Sequence, residues 1–212
     1  MGTLYEGING KGRGRVGNLV YYIRNGKQIV RKIGVSTKPP SDAQKENRLR
    51  MKISNAFCML TRPFIDYGFA AQVVGRDLST FNVAVSYNKM NAIQGEYPNL
   101  SLDYSRVLLA EGSLLQADDV QVKIVETGLE FSWHVAPNLQ WPENTDQVML
   151  LAIFPNKEKI SYQPFGASRS TGTAVLEISG PMLGEYIESY IAFISADRKT
   201  VSSSVYVGSL NR

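Results

Sequence analysis

From Leu100 onward the chain breaks into short runs of alternating apolar and polar residues divided by turn residues, with no long helical stretch among them. Runs of this length and spacing close a core by pairing with one another, which points to an antiparallel β-sandwich. Eight strands are expected, at 102–109, 120–125, 129–135, 147–154, 159–164, 173–178, 189–195 and 201–207. Leu129-Glu-Phe131-Ser-Trp133 alternates strictly, so Leu129, Phe131 and Trp133 should enter the core. Tyr190, Ala192 and Ile194 should do the same on a later strand.

Ahead of that region lies helical sequence. Lys38-Pro39-Pro40 is a breaker, and Ser41 with Gln44 three residues on has the pattern of a capping box, so a helix should begin at Asp42. Leu49, Ile53, Phe57, Leu60 and Phe64 recur at three and four, while Lys45, Arg48 and Lys52 share another face. Pro63 and Gly68 should end or kink this helix. A second one is expected from 79 to about 93, with Phe81, Val85 and Met90 inward and Gly95 closing it.

The most specific local signal comes earlier. Asn25-Gly26 separates Leu-Val-Tyr-Tyr-Ile-Arg from Lys-Gln-Ile-Val-Arg-Lys, and a type I′ turn needs two residues that tolerate positive φ. A two-residue turn pairs Arg24 with Lys27, Tyr22 with Ile29 and Val20 with Arg31 on one face, leaving Tyr21, Ile23 and Val30 on the other. A lone hairpin is marginal in water, so one face should find a partner. Residues 1–17 carry glycine at 2, 7, 10, 12, 14 and 17 with Lys11, Arg13 and Arg15 between them, which reads as a mobile arm.

Charge separates the two ends. Residues 1–60 hold twelve Lys and Arg against three acids, a balance of +9, while the whole chain carries +4, leaving −5 for residues 61–212. Such a split marks an end that meets an anionic partner. The opening Met-Gly-Thr-Leu-Tyr-Glu has no basic start and no apolar run, and no stretch is apolar enough to span a bilayer, so the chain is expected to stay in the cytoplasm without a membrane partner.

Catalytic and metal chemistry find no constellation. Gly12-Arg-Gly14-Arg-Val-Gly17 fits G-x-G-x-x-G, but no strand precedes it and no acid lies about twenty residues on, as dinucleotide binding requires. His134 is the only histidine, so it cannot share in a multi-histidine metal site, and next to Trp133 on an alternating strand it should point outward. Asp118, Asp119 and Asp146 read as turn residues, and G-x-S-x-G is absent. Cys58, the only cysteine, reads as a small buried hydrophobe. Neither a cofactor nor enzyme activity is expected.

Trp133 as an early core tryptophan, Tyr190-Ile-Ala-Phe193 as a central strand and Val201-Ser-Ser-Ser-Val-Tyr206 as a final one together resemble a fibronectin type III-like module. Over nearly its full length the chain also resembles an uncharacterised family common in Bacteroidota, often present as several paralogues. The matching pieces are Gly7-Ile-Asn-Gly10, Gly14-Arg-Val-Gly17-Asn18, Pro40-Ser-Asp-Ala-Gln44 with Arg48 and Arg50, Asp146-Gln-Val-Met-Leu-Leu151, Ser168-Arg169-Ser-Thr-Gly172 and Tyr190-Ile-Ala-Phe-Ile-Ser-Ala-Asp197. Arg13-Gly-Arg15 departs from the Ser-Gly-Lys expected there. The resemblance implies a fold and a host lineage, without an activity.

The expected fold is therefore α+β and mainly β. Residues 1–99 form a basic arm, hairpin and helical segment, and residues 100–212 form an antiparallel Ig/fibronectin III-like sandwich. Partner contact is assigned to Lys11, Arg13, Arg15, Tyr21, Tyr22, Arg24, Lys27, Ile29, Arg31 and Lys32, with Lys45, Arg48 and Lys52 on the first helix. The first expectation is a non-enzymatic structural or assembly protein, of a phage particle or similar machine, whose arm and hairpin dock on protein subunits, further copies of itself included. The alternative is a nucleic-acid-binding protein using the same cations, with tyrosines to stack on bases. A third reading is a carbohydrate- or peptide-binding module using Trp141, although Trp141 reads better as a loop anchor packed under Pro142. Against all three, the cations would merely keep the hairpin soluble and its edges blunt.

Overall fold

The computed structural model describes residues 3–4, 12–35 and 38–212, and the chain divides into two units, Met1–Ser41 and Asp42–Arg212. In the first unit, β1 (Thr3–Leu4), β2 (Gly12–Val16), β3 (Leu19–Arg24) and β4 (Lys27–Lys32) form one antiparallel sheet in that order. Asn25 (φ 51°) and Gly26 (φ 74°) make the tight turn between β3 and β4, and the register pairs Arg24 with Lys27, Tyr22 with Ile29 and Val20 with Arg31, as the turn chemistry requires. The expected arm is corrected here: Gly12–Val16 is a strand, because Gly14, Arg15 and Val16 pair with Tyr21, Val20 and Leu19 and extend the hairpin by one strand. The glycine positions 2, 7 and 10 lie outside the described residues.

The second unit opens with α1 (Asp42–Leu60), beginning where the breaker placed it. Thr61 interrupts the helix, with its hydroxyl turned back to donate to the Phe57 carbonyl, and α2 (Arg62–Gly68) follows with Pro63 in its first turn, where a missing N–H costs nothing. After α3 (Ala70–Val73), α4 (Thr80–Asn91) starts from Ser79, whose side chain accepts from the Asn82 amide. Val85 of α4 is buried as expected, but Met90 is 75% exposed, because the inward stripe runs through Ala84, Val85 and Asn88 instead. The helix ends at Asn91, short of Gly95.

Then β5 (Ile93–Gln94) pairs with β6 (Ser101–Leu102). The strand expected at 102–109 stops there. Asp103 accepts from the Ser105 amide and hydroxyl and caps a 3-10 turn over Tyr104–Arg106, so the apolar Val107 and Leu109 reach the core from a loop rather than from a ladder. The sandwich strands are β7 (Gln121–Val125), β8 (Gly128–Ser132), β9 (Gln147–Phe154), β10 (Lys159–Gln163), β11 (Thr173–Glu177), β12 (Ile187–Ile194) and β13 (Val205–Leu210). The last strand starts later than expected; Val201 and Ser202 make only isolated bridges. One sheet runs β11-β8-β7 and the other β10-β9-β12-β13, all antiparallel.

The central strand β9 reads Gln-Val-Met-Leu-Leu-Ala-Ile-Phe, continuously apolar after its first residue, because both of its faces are covered. Val148, Leu150, Ala152 and Phe154 meet Leu129, Phe131, Trp133, Ile191 and Phe193 between the sheets. Met149, Leu151 and Ile153 face the helices, joining Phe57, Phe64, Ile65, Phe69 and Val85. Tyr190, Ala192 and Ile194 are buried as expected, and the core they enter is this second one, under the helices. The helices thus share a core with the sandwich, and the division of the chain falls between Ser41 and Asp42 and not at the expected 99/100. Among the described residues, no helix is long and apolar enough to cross a membrane.

Candidate functional site

The N-terminal sheet sorts its side chains by the two-residue period of a strand. Arg15, Val20 and Arg31 lie in one cross-strand row, Tyr22 and Ile29 in the next, Arg24 and Lys27 in the one at the turn, all on one face. The four cations are exposed, and Val20, Tyr22 and Ile29 are half-buried among them. Val16, Leu19, Tyr21, Ile23 and Val30 take the other face, where Val16, Ile23 and Val30 are 40%, 59% and 47% exposed. Of the residues assigned to partner contact, Arg15, Tyr22, Arg24, Lys27, Ile29 and Arg31 are therefore brought together, whereas Tyr21 and Lys32 face the opposite way because they sit at odd offsets in the register. Arg13 pairs with Thr3 of β1. Lys11 lies outside the described residues.

The helix cations form no such row. Lys45 is held 2.9 Å from Asp42 in an exposed pair, and Lys52 stands on the rim of an apolar groove of about 620 Å³ between α1 and the segment around Leu100 and Leu102. Arg48 is exposed on the same helix.

A second place, at one end of the sandwich, was not assigned from sequence. The guanidinium of Arg169 is buried 3.7 Å above the Phe193 ring, donates to the Leu115 carbonyl at 2.7 Å and pairs with the Asp146 carboxylate at 3.2 Å. Burial pushes Asp146 above the ordinary carboxylate range in spite of that arginine. Burial likewise lowers Arg169, against the fields of Asp146, Glu143 and Asp118. One carboxylate thus touches the cation, and the fields of two more reach it. Beside them Leu114, Leu115, Val135 and Leu139 line a pocket of about 380 Å³ whose polar wall is Asp118, His134 and Arg169. His134 is exposed, as expected, although β8 ends at Ser132 and leaves it past the strand. Trp141 is 78% exposed, which overturns the expectation that it packs under Pro142: Leu139 of the same loop reaches the pocket and the indole stays outside. The signal that could have found this place was Ser168-Arg169-Ser-Thr-Gly172, noticed as a motif without a role.

No curated protein and no solved structure matches this chain. The model of a family of unknown function, DUF6266, matches residues 10–208, taking in both the N-terminal sheet from its second strand onward and the sandwich almost to its end, and the chain belongs to that family.

Proposed function

We propose that this is a non-enzymatic assembly protein, in which the sandwich with its helices is the body and the N-terminal sheet docks onto a neighbouring protein subunit. The observation that carries the reading is the sheet itself, a separate unit with Val16, Ile23 and Val30 exposed on one face and Tyr22 and Ile29 ringed by Arg15, Arg24, Lys27 and Arg31 on the other. Small sheets with apolar residues exposed on one face and aromatics among cations on the other fit interfaces, where aromatic and arginine anchors carry most of the energy. The setting is a phage particle or a similar machine, made in the cytoplasm of a Bacteroidota host. The body is read as fibronectin III-like, a reading supported by the split of its seven strands into a sheet of three and a sheet of four with β9 and β12 adjacent in the larger. Light scattering of the full chain against a chain starting at Asp42 tests the function. The full chain should form species larger than a monomer and the shortened one should not; monomers in both cases overturn the reading.

The cationic row favours one second reading, a nucleic-acid contact in which Arg15, Arg24, Lys27 and Arg31 neutralise phosphates and Tyr22 stacks on a base. Retention of a short duplex and of a single strand at low salt separates it from the first.

A further inference from the structure

Resting on the assembly reading, we infer that the partner is a second copy of this chain and that the pocket at the end of its sandwich, walled by Asp118, His134 and Arg169, receives the cationic face of the N-terminal sheet. Charge argues for it first. Residues 1–41 carry eight Lys and Arg against one acid, a balance of +7, and residues 42–212 carry fifteen against eighteen, a balance of −3. On the body, the pocket is a place where acids outnumber cations locally: Arg169 is committed to Asp146, and Asp118 and Glu143 add their fields from farther out.

Size and chemistry agree with that choice. At about 380 Å³ the pocket sits at the low end of the roughly 300–1,000 Å³ that small ligands occupy, so it admits a side chain or two and no folded element. Tyr22, half-buried between Val20 and Ile29 and flanked by the exposed Arg15, Arg24, Lys27 and Arg31, presents such a side chain with cations around it. Its ring enters among Leu114, Val135 and Leu139. The arginines meet Asp118 in the pocket wall and come under the field of Glu143, which reaches Arg169. The contact joins two different surfaces, so it runs head to tail, and one copy leaves its own pocket and the other its own sheet free for further copies.

Two charge-reversed variants of the full chain test this. Asp118→Lys with Glu143→Lys spoils the pocket and keeps the sheet; Arg24→Glu with Arg31→Glu spoils the sheet and keeps the pocket. Sedimentation across a concentration series should show wild type associating and each variant associating about tenfold or more weakly, because reversed charges oppose docking. Mixed in equal amounts, the two variants should associate again, since the sound sheet of one meets the sound pocket of the other and the two reversed surfaces are themselves complementary in charge. The milder Asp118→Asn with Glu143→Gln should weaken wild-type association in the same direction, and unfolding curves check that every variant is folded. Wild-type association with none in the mixture, or a pocket variant that associates as wild type does, overturns the pocket while leaving the assembly reading standing. Wild type that stays monomeric at every concentration overturns both.

Discussion

The indole Nε1 of Trp133 donates to the backbone oxygen of Arg169 at 2.8 Å, which ties the core tryptophan of the sandwich to the residue that holds the buried ion pair. The two also share Phe193: the indole meets its ring edge-on with centroids 5.6 Å apart, and the guanidinium lies over it at 3.7 Å. Trp133→Ala should cost about 3–5 kcal/mol, the range for deleting a large core aromatic. Trp133→Phe keeps most of the apolar area and loses the indole hydrogen bond, while the Arg169 oxygen still accepts from the Gly172 amide at 3.4 Å, so the cost should be about 0.5–1.5 kcal/mol. Urea denaturation measures both, and a loss under about 1 kcal/mol for the alanine variant would place the ring outside the core.

Asp146 and Arg169 are each 3% and 7% exposed in their side chains, so removing one partner leaves a buried charge without compensation. Asp146→Ala should destabilise by about 3–5 kcal/mol, and adding Arg169→Met should recover part of that loss, because an apolar side chain replaces the orphaned charge. The acid limb carries a second signature. The Asp146 carboxyl is raised in the folded state, so the folded protein holds this proton more tightly than the unfolded chain does. Its contribution to stability is present in full below the ordinary value of 3.8 and is lost as pH rises through the raised one. Asp146→Asn should erase that component, seen as a changed slope of stability against pH in that window.

Cys58 lies wholly buried against Asn88, and burial pushes its thiol up to about 12. At pH 8 that leaves about one thiolate in ten thousand, against roughly a quarter for a free thiol near 8.5. A soluble thiol reagent should therefore modify the folded protein at least about a thousandfold more slowly than the urea-unfolded chain. Equal rates would mean that the helix-side core opens freely.

How much of this was legible in the sequence depended on whether the signal was local. The Asn25-Gly26 turn could be read with its register because two adjacent residues dictate it. The strand at 147–154 and the helix start at Asp42 were readable from an apolar run and a breaker. The arm misled because glycine between arginines looks like chain without a partner, whereas Gly14, Arg15 and Val16 pair with Tyr21, Val20 and Leu19 of the next strand, and no turn signal as strong as Asn25-Gly26 announces that pairing. Tyr190 and Ile191 show the same limit: alternation places them on opposite faces, but which face meets the helices is set by the layer order, which no short window contains. Arg169 was invisible as a site because Asp146 is twenty-three residues off and Leu115 fifty-four.

Gly26 adopts φ 74° with open space around the position of a Cβ, so Gly26→Ala meets no clash and bears only the conformational cost, about 1–2 kcal/mol for an L residue in that region. Since the sheet is a unit of its own, the effect should stay local. Amide exchange in β3 and β4 should quicken about tenfold while the unfolding midpoint of the body stays where it was. A shift of the body's midpoint would show that the two units unfold together.

Salt discriminates among the partners the N-terminal sheet can have. If its cationic face docks on the acid-rimmed pocket of a second copy, association should weaken as ionic strength rises, because the Debye length shrinks from about 10 Å at 0.1 M to about 3 Å at 1 M. If the copies instead met through Val16, Ile23 and Val30, the like charges of the two sheets would be screened and association should hold or strengthen with salt. A nucleic acid predicts a third pattern, in which affinity for duplex DNA falls with a slope of about −0.9 per phosphate neutralised and the triple replacement of Arg15, Arg24 and Arg31 flattens it by up to about three units. Tyr22→Ala separates the first pattern from the last: it removes the anchor between Val20 and Ile29 but no charge. Self-association should then fall while any retention of DNA keeps its salt slope, because counterion release counts cations and a docked pocket needs a ring to fill it. Should Tyr22→Ala leave the mass distribution unchanged across the salt series, the sheet does not dock by this face.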